Sequence, residues 1–416
     1  LKILVAAAGS HGDVLPLIAL AAEFAARGYE VVLHASGYFA PQAAAAGVAL
    51  RALGTPEEHV ELLRDPDLTH PVRAHRRIAA ALDEFLPRLY ESLSAEVDPG
   101  RTLVIGSVLA FPARLLRDTR GVPCVIVHLA PATLRSCFES PRMTRLDLGP
   151  WLPRGLKALA WRALDRWVID PVYGAPLNRY RRSIGLAPVR GVFDRWLNGA
   201  DLLLALFPDW FAAPQPDWPT ALLQTGFPLY DQATQVLAPT VREFLDAGEP
   251  PIGFTAGTAT ASAGEFYTAS VAACVRAGRR GILLAHRPEQ IPRTLPPGIL
   301  HVPYVPFSDL LPRLSAFVHH GGIGTTSQAL RAGVPQLIRP MAYDQLDNSR
   351  RAQKLGVARE LLPARYHARR AAAALEHLIR DPAVHERCRH WAARLAQPDA
   401  VRRSCDRVLA QFLTRE

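Results

Sequence analysis

The chain has 416 residues, 49% of them hydrophobic and 21% charged, with a formal net charge of +10 and a pI near 9.7. That length exceeds what one core holds and implies two domains, and the composition excludes a disordered or fibrous chain. Arginine supplies nearly all of the base and is scattered through every segment, so no nucleic-acid-binding element stands out. An anionic substrate or an anionic membrane surface remains the functional reading beside plain compositional bias.

Lys2 to Ala7 is, after its leading lysine, an uninterrupted apolar run, the pattern of a parallel strand covered on both faces. Gly9-Ser10-His11-Gly12-Asp13 is a turn, Val14 to Ala26 has helical spacing that stops at Gly28, and Tyr29 to Ala35 is the next strand. No G-x-G-x-x-G follows the first strand, so a dinucleotide site is not indicated there. An amphipathic helix is predicted over 82–96, strands at Thr102–Ser107 and Cys124–His128, and a helix between them at Pro112–Thr119. This alternation predicts a doubly wound α/β sheet. Residues 138–198 carry Trp151, Trp161, Trp167 and Trp196 among many arginines and read as helices projecting from that sheet. Leu202–Phe207 is one more strand, and Pro228–Pro239 has the composition of a linker.

A second domain starts near Pro250. Strands are predicted at Pro251–Thr255, Gly281–Ala285 and Leu300–Val302, with a small polar turn at 256–260 and a helix from Gly264 to Arg276. Helices at 348–355, 368–380, 383–397 and Ala400–Leu413 close the chain. The five cysteines, Cys124, Cys137, Cys274, Cys388 and Cys405, form no CxxC pair and no zinc spacing, which predicts free thiols in a reducing compartment. The first residues run straight into a strand rather than a signal peptide, and the longest apolar run, near Leu103 to Ala113, is too short for a bilayer. A cytoplasmic protein is expected, with at most peripheral contact at the inner membrane.

The densest chemistry lies in Phe317 to Asn348, FVHHGGIGTTSQALRAGVPQLIRPMAYDQLDN. A short buried strand leads to His319-His320 and a Gly-Gly-Ile-Gly turn. Thr325-Thr326-Ser327 precedes a helical pattern from Gln328 to Ala332, and Gly333-Val334-Pro335 stops it before the strand Gln336–Ile338. Amides at a helix N-terminus, with glycines allowing close approach, suit a phosphate or diphosphate. The polar loop ending in Asp344-Gln345 supplies groups that grip sugar hydroxyls. The competing reading of His319 and His320 is two core or capping histidines.

This stretch resembles the nucleotide-sugar motif of the family 1 glycosyltransferases. The resemblance implies a GT-B fold: two Rossmann-like doubly wound domains facing across a cleft, with an acceptor-binding domain at 1–227, a linker at 228–249, a nucleotide-sugar domain at 250–398 and a helix at 399–416 returning to the first domain. It places the donor diphosphate on Thr258, His319, His320, Gly322, Gly324 and Thr325, the donor base on Tyr304 and Val305, and the donor sugar on Asp344 and Gln345. Gln328 stands where plant members carry a Glu for the ribose hydroxyls, a departure that favours dTDP over a ribonucleotide. The family position of the catalytic base falls on Asp13, with His11 as the other candidate. Asp13 could instead serve as a helix N-cap, or do both. No D-x-D pair is convincing (Asp65-Pro66-Asp67 lies in the wrong domain), so no metal and no cofactor are expected beyond the sugar nucleotide.

Within the family the chain is most similar to the rhamnosyltransferases of rhamnolipid synthesis, through the Gly-Asp-Val turn, Trp218-Pro219, Thr225-Gly226-Phe227-Pro228-Leu229, Phe254-Thr255, Gly321-Gly322-Ile323-Gly324 and Asp344-Gln345-x-Asp347-Asn348. That implies inverting transfer of L-rhamnose from dTDP-L-rhamnose to the hydroxyl of a 3-(3-hydroxyalkanoyloxy)alkanoate lipid, with a membrane or pathway partner nearby. Two alternatives stay open. One is transfer from a dTDP- or UDP-sugar to a polyketide, flavonoid or sterol-like aglycone. The other is a nucleotide-sugar epimerase or a non-catalytic auxiliary protein on the same fold.

Overall fold

Parallel strands of continuous apolar sequence set both halves of the chain. In a computed structural model, which describes every residue except 71–72, 145–147, 150, 231–236, 258–262, 397–398 and 414–416, the first sheet holds β1 (Lys2–Ala6), β2 (Glu30–Ala35), β3 (Ala49–Ala52), β4 (Thr102–Ser107), β5 (Cys124–His128), β6 (Leu202–Ala205) and β7 (Leu222–Gln224). They lie in the order β3-β2-β1-β4-β5-β6-β7, every pairing parallel. All residues of β1, β4 and β5 are buried, because helices cover both faces. On one face Ile3, Val5, Ile105 and Val127 pack with Leu17, Leu20 and Phe24 of the helix His11–Ala26. On the other, Leu4, Val104 and Ile126 meet Leu82, Leu86 and Leu89 of the helix Arg73–Ala95.

The helix Ala400–Leu413 belongs to this first unit. It seats Val401, Cys405 and Val408 in the same cluster as Leu17 and Phe24. Arg27 Nη1 donates to Asp406 Oδ1 at 2.6 Å, and the hydroxyls of Ser404 and Thr225 meet at 2.7 Å. Between β5 and β6 stand the helix Arg154–Leu164, a wide-turn helical stretch Asp165–Gly174 containing Pro171, and the helix Ala175–Ser183.

The second unit carries β8 (Ile252–Thr255), β9 (Gly281–Leu284), β10 (Ile299–Val302), β11 (Ala316–His319), β12 (Gln336–Ile338) and β13 (Ala358–Glu360), in the order β10-β9-β8-β11-β12-β13, again all parallel. Contacts divide the described residues into two compact units, Leu1–Tyr230 (less Met143 and Thr144) with Asp399–Leu413, and Leu237–Ala396 with Met143 and Thr144. The doubly wound α/β class read from the alternation of elements is therefore the observed one in both.

Several boundaries differ from the sequence reading. The first helix begins at His11 rather than Val14, because Ser10 caps it. The long helix begins at Arg73 rather than residue 82, and the helix after the glycine turn begins at Ile323 rather than Gln328. Strands β3, β7 and β13 were not anticipated. They are edge or near-edge pieces of three or four residues, only partly buried, so their sequences lack a continuous apolar run. All five cysteines are free thiols, and burial pushes Cys124, Cys274, Cys388 and Cys405 up to about 12. Among the described residues no helix is long and apolar enough to cross a membrane.

Candidate active site

Strand order reverses between β1 and β4 in the first sheet and between β8 and β11 in the second. In open parallel sheets the crevice beyond the carboxyl ends at such a switch point is where ligands bind, because the flanking loops diverge there. His11 and Asp13 follow β1 and His320 follows β11, while Tyr304 follows β10 and Asp344 follows β12.

In the first unit β1 leads into Gly9-Ser10-His11-Gly12-Asp13. Ser10 is the N-cap of the helix, and Asp13 occupies its third position. The N-cap reading of Asp13 is thus corrected by three residues: the carboxylate receives the cap's N–H rather than capping the helix itself. Asp13 Oδ2 accepts from Ser10 N–H at 2.8 Å and from Ser10 Oγ–H at 3.0 Å. Gly9, at φ +127°, passes so close that a Cβ there would lie 2.4 Å from Asp13 Oδ2. Burial raises the Asp13 pKa above the ordinary aspartate value, and the two Ser10 hydrogen bonds oppose it. His11 is half-buried, its ring edge-on to Tyr38 and Phe39, each with centroids 5.3 Å away. Beside this loop, Ser107 at the end of β4 accepts from Ala8 N–H at 3.3 Å. Ser10 was not singled out in the sequence, although Ser-x-x-Asp ahead of an apolar helix is a capping-box pattern.

In the second unit the two histidines part ways. His319 is fully buried; its Nε2 pairs with Gln336 Oε1 at 2.9 Å and its Nδ1 accepts from Gly321 N–H at 3.1 Å. Both ring nitrogens are used inside the fold, so this residue shapes the turn. Burial lowers its pKa to about 3, which keeps it neutral. His320 projects beyond the strand and lies between two glycines. A Cβ on Gly257 would sit 2.6 Å from its Cε1, and one on Gly322 2.5 Å from its Nε2. Gly257 also has φ +83°. His320 Nδ1 is buried without a hydrogen-bond partner among the described residues, and burial lowers the ring's pKa to about 4.

The helix Ile323–Ala332 starts from Gly322, and its first i→i−4 bond runs from Thr326 N–H to Gly322 O at 2.9 Å. The amides of Ile323, Gly324 and Thr325 precede that bond and carry the positive end of the helix dipole. Gly324 is exposed and Thr325 half-exposed, while Gln328 is buried. Thr258 lies outside the described residues.

The loop after β12 is tied to the glycine turn. Asn348 Nδ2 donates to Gly321 O at 3.0 Å and to Asp344 Oδ2 at 2.7 Å. Gln345 Oε1 accepts from Met341 N–H at 2.8 Å and Ala342 N–H at 3.2 Å, which orients its NH2 group away from that backbone. Tyr343, immediately before this pair, is the only non-glycine described residue with positive φ, at +59°. Left-handed backbone at a tyrosine stores strain, and such strain concentrates at binding sites. Asp347 is buried and spent on Arg350 and Arg351 at 2.6 and 2.7 Å. Neither Asn348 nor Tyr343 was assigned a role from sequence.

Tyr304 keeps 40% of its surface exposed and stacks at 19° on His286, centroids 6.1 Å apart. His286 was not anticipated. Val305 lies in the core beside Leu284 and Leu310, so only its backbone could reach a ligand. Asp65 and Asp67 are engaged with Arg77 and Arg73 at 2.7 and 2.6 Å.

Residues 281–409 match the family model described as erythromycin biosynthesis protein CIII-like, C-terminal domain. The chain is 31% identical over 409 residues to O-mycaminosyltylonolide 6-deoxyallosyltransferase of Streptomyces fradiae, covering 95% of this chain and 94% of that one. Among solved structures, the glycotransferase of kitacinnamycin aligns with a TM-score of 0.75 at 22% identity, over 99% of both chains. Spinosyn rhamnosyltransferase SpnG, solved with thymidine diphosphate, aligns with a TM-score of 0.67 at 17% identity over 100% of both.

Proposed function

Because the chain belongs to the family 1 GT-B glycosyltransferases, we propose that it transfers a 6-deoxysugar from its dTDP conjugate to a hydroxyl of a polyketide-type aglycone. The observation that carries the donor half is His320, held between Gly257 and Gly322 at the β8/β11 switch point with a buried Nδ1 that has no hydrogen-bond partner among the described residues. A neutral imidazole N–H and the first amides of the helix Ile323–Ala332 form a donor set suited to a diphosphate.

In this reading Asp13 takes the proton from the acceptor hydroxyl as its oxygen bonds to the anomeric carbon. The bond from that carbon to the diphosphate oxygen breaks, and dTDP leaves with the electron pair. Inversion follows from attack opposite the leaving group. Asp344 and the Gln345 NH2 group hold the sugar hydroxyls, and Tyr304 stacks on the base. Gln328 in place of an acidic residue favours the deoxyribonucleotide. A relative named for moving a 6-deoxyallosyl group to O-mycaminosyltylonolide, at near full length, supports a 6-deoxysugar and an aglycone acceptor. Transfer of L-rhamnose to a hydroxyalkanoate lipid rests on the motif likeness alone and ranks second. The test is release of dTDP or UDP from dTDP-L-rhamnose, dTDP-glucose and UDP-glucose, with and without macrolide, flavonoid and hydroxyalkanoyloxyalkanoate acceptors. Aglycone-dependent release from a dTDP-sugar is expected. No acceptor-dependent release with any pair would overturn the reading.

A further inference from the structure

We propose that the helical arm at residues 151–168 docks this enzyme on an anionic lipid bilayer surface. On the helix Arg154–Leu164 and the first turn beyond it, Leu156, Leu159, Ala163 and Trp167 recur at helical spacing and form one stripe. Leu156 is 51% exposed, Leu159 60% and Trp167 70%, with Trp151 at 78% just ahead of the helix. Large apolar side chains are seldom left in water together unless something covers them.

Charge identifies the cover. Arg154, Arg162 and Arg166 are exposed, and the last two flank the stripe. The acid of this arm, Asp165, and Asp170 just beyond it are turned inward. Asp165 pairs with Arg135 at 2.5 Å, and Asp170 accepts from the backbone N–H groups of Gly191 and Val192 at 3.0 and 3.2 Å. Lys157, on the opposite side, is buried with its ammonium toward Phe138 O at 3.4 Å. The outward face is therefore apolar and cationic, the pattern of a helix that lies in a lipid interface, where tryptophan rings sit at headgroup level and arginine answers anionic lipid. The net charge of +10 adds long-range attraction.

The test is co-sedimentation of the full chain with vesicles of phosphatidylcholine alone or with one third phosphatidylglycerol. Binding to the anionic vesicles is expected at least tenfold above the neutral ones, weakened by 0.5 M NaCl. The variant L159E/W167E should lose it at least tenfold while keeping the wild-type melting temperature. Equal binding to both vesicles, or an unaffected variant, overturns the proposal. So does light scattering that shows a dimer dissociated by L159E/W167E with no vesicle binding, which would make the stripe a protein interface. Since the readout needs no sugar transfer, it stands or falls apart from the donor and acceptor assignments.

Discussion

Gly257 lies directly against the His320 imidazole, so close that a methyl group there would come within 2.6 Å of the ring. Replacing it by alanine adds that clash to an unfavourable φ of +83°. Gly257→Ala is expected to displace His320 and weaken dTDP binding by at least tenfold in calorimetry, with only a modest fall in melting temperature. Unchanged affinity would show that this ring does not organise the diphosphate site.

Asp13→Asn should lower kcat by about two orders of magnitude or more with donor affinity near wild type, the expected loss when a general base is removed. The pH profile tests the environment as well. The carboxylate must be ionised to accept a proton, and burial raises its pKa, so kcat should fall on the acid side at a pH above the ordinary aspartate range. Ser10→Ala removes a hydrogen bond that favours the charged form and should move that limb to still higher pH. Retention of more than a tenth of the activity by Asp13→Asn would transfer the role elsewhere, with His11 the next to substitute.

Asp344→Ala separates sugar from nucleotide. It should raise the KM for the donor by at least tenfold while calorimetric affinity for dTDP alone changes little. Equal losses for both ligands would mean that the Asn348–Asp344 hydrogen bond supports the diphosphate turn rather than the sugar.

Four histidines set an acid limit on stability. Burial lowers His34, His128 and His320 to about 4 and His319 to about 3. Between those values and the ordinary 6.5 the unfolded chain binds more protons than the folded one. Stability therefore rises with pH across that window and is lost as pH falls below about 6.5. Each contributes a slope of about 1.4 kcal/mol per pH unit. Urea unfolding from pH 7.5 to 4.5 should show this decline, and His34→Gln should reduce its slope by about that amount. A pH-independent midpoint would place these rings in contact with water.

His319 also gives a test at neutral pH. Gln336→Leu would leave its Nε2 group buried without the bond to Oε1, a loss of about 1–3 kcal/mol. Urea unfolding should show it, with dTDP affinity reduced less than in Gly257→Ala.

The parallel strands at the centre of each sheet were legible because burial on both faces writes itself as an unbroken apolar run, as in Ile3–Ala6 and Cys124–Val127. Edge strands such as Ala49–Ala52 carry no such mark. The histidine pair shows the limit for sites. Adjacent in sequence and chemically identical, His319 and His320 differ only in which points inward, and that depends on Gln336 in β12 and Gly257 in the loop after β8. Tyr343 illustrates the same limit in the backbone, since a tyrosine in left-handed conformation has no signature in composition or periodicity.

The helix Ala400–Leu413 fills the core that β1 and the helix His11–Ala26 begin. A nascent polypeptide leaving the ribosome thus exposes Leu17, Leu20 and Phe24 long before Val401, Cys405 and Val408 exist to shield them. The earliest-made half waits unfinished while the other is translated and folds independently. Chaperone demand during synthesis should consequently be greatest over that interval, and trimming the last helix should trap the amino-terminal sheet as an aggregating intermediate.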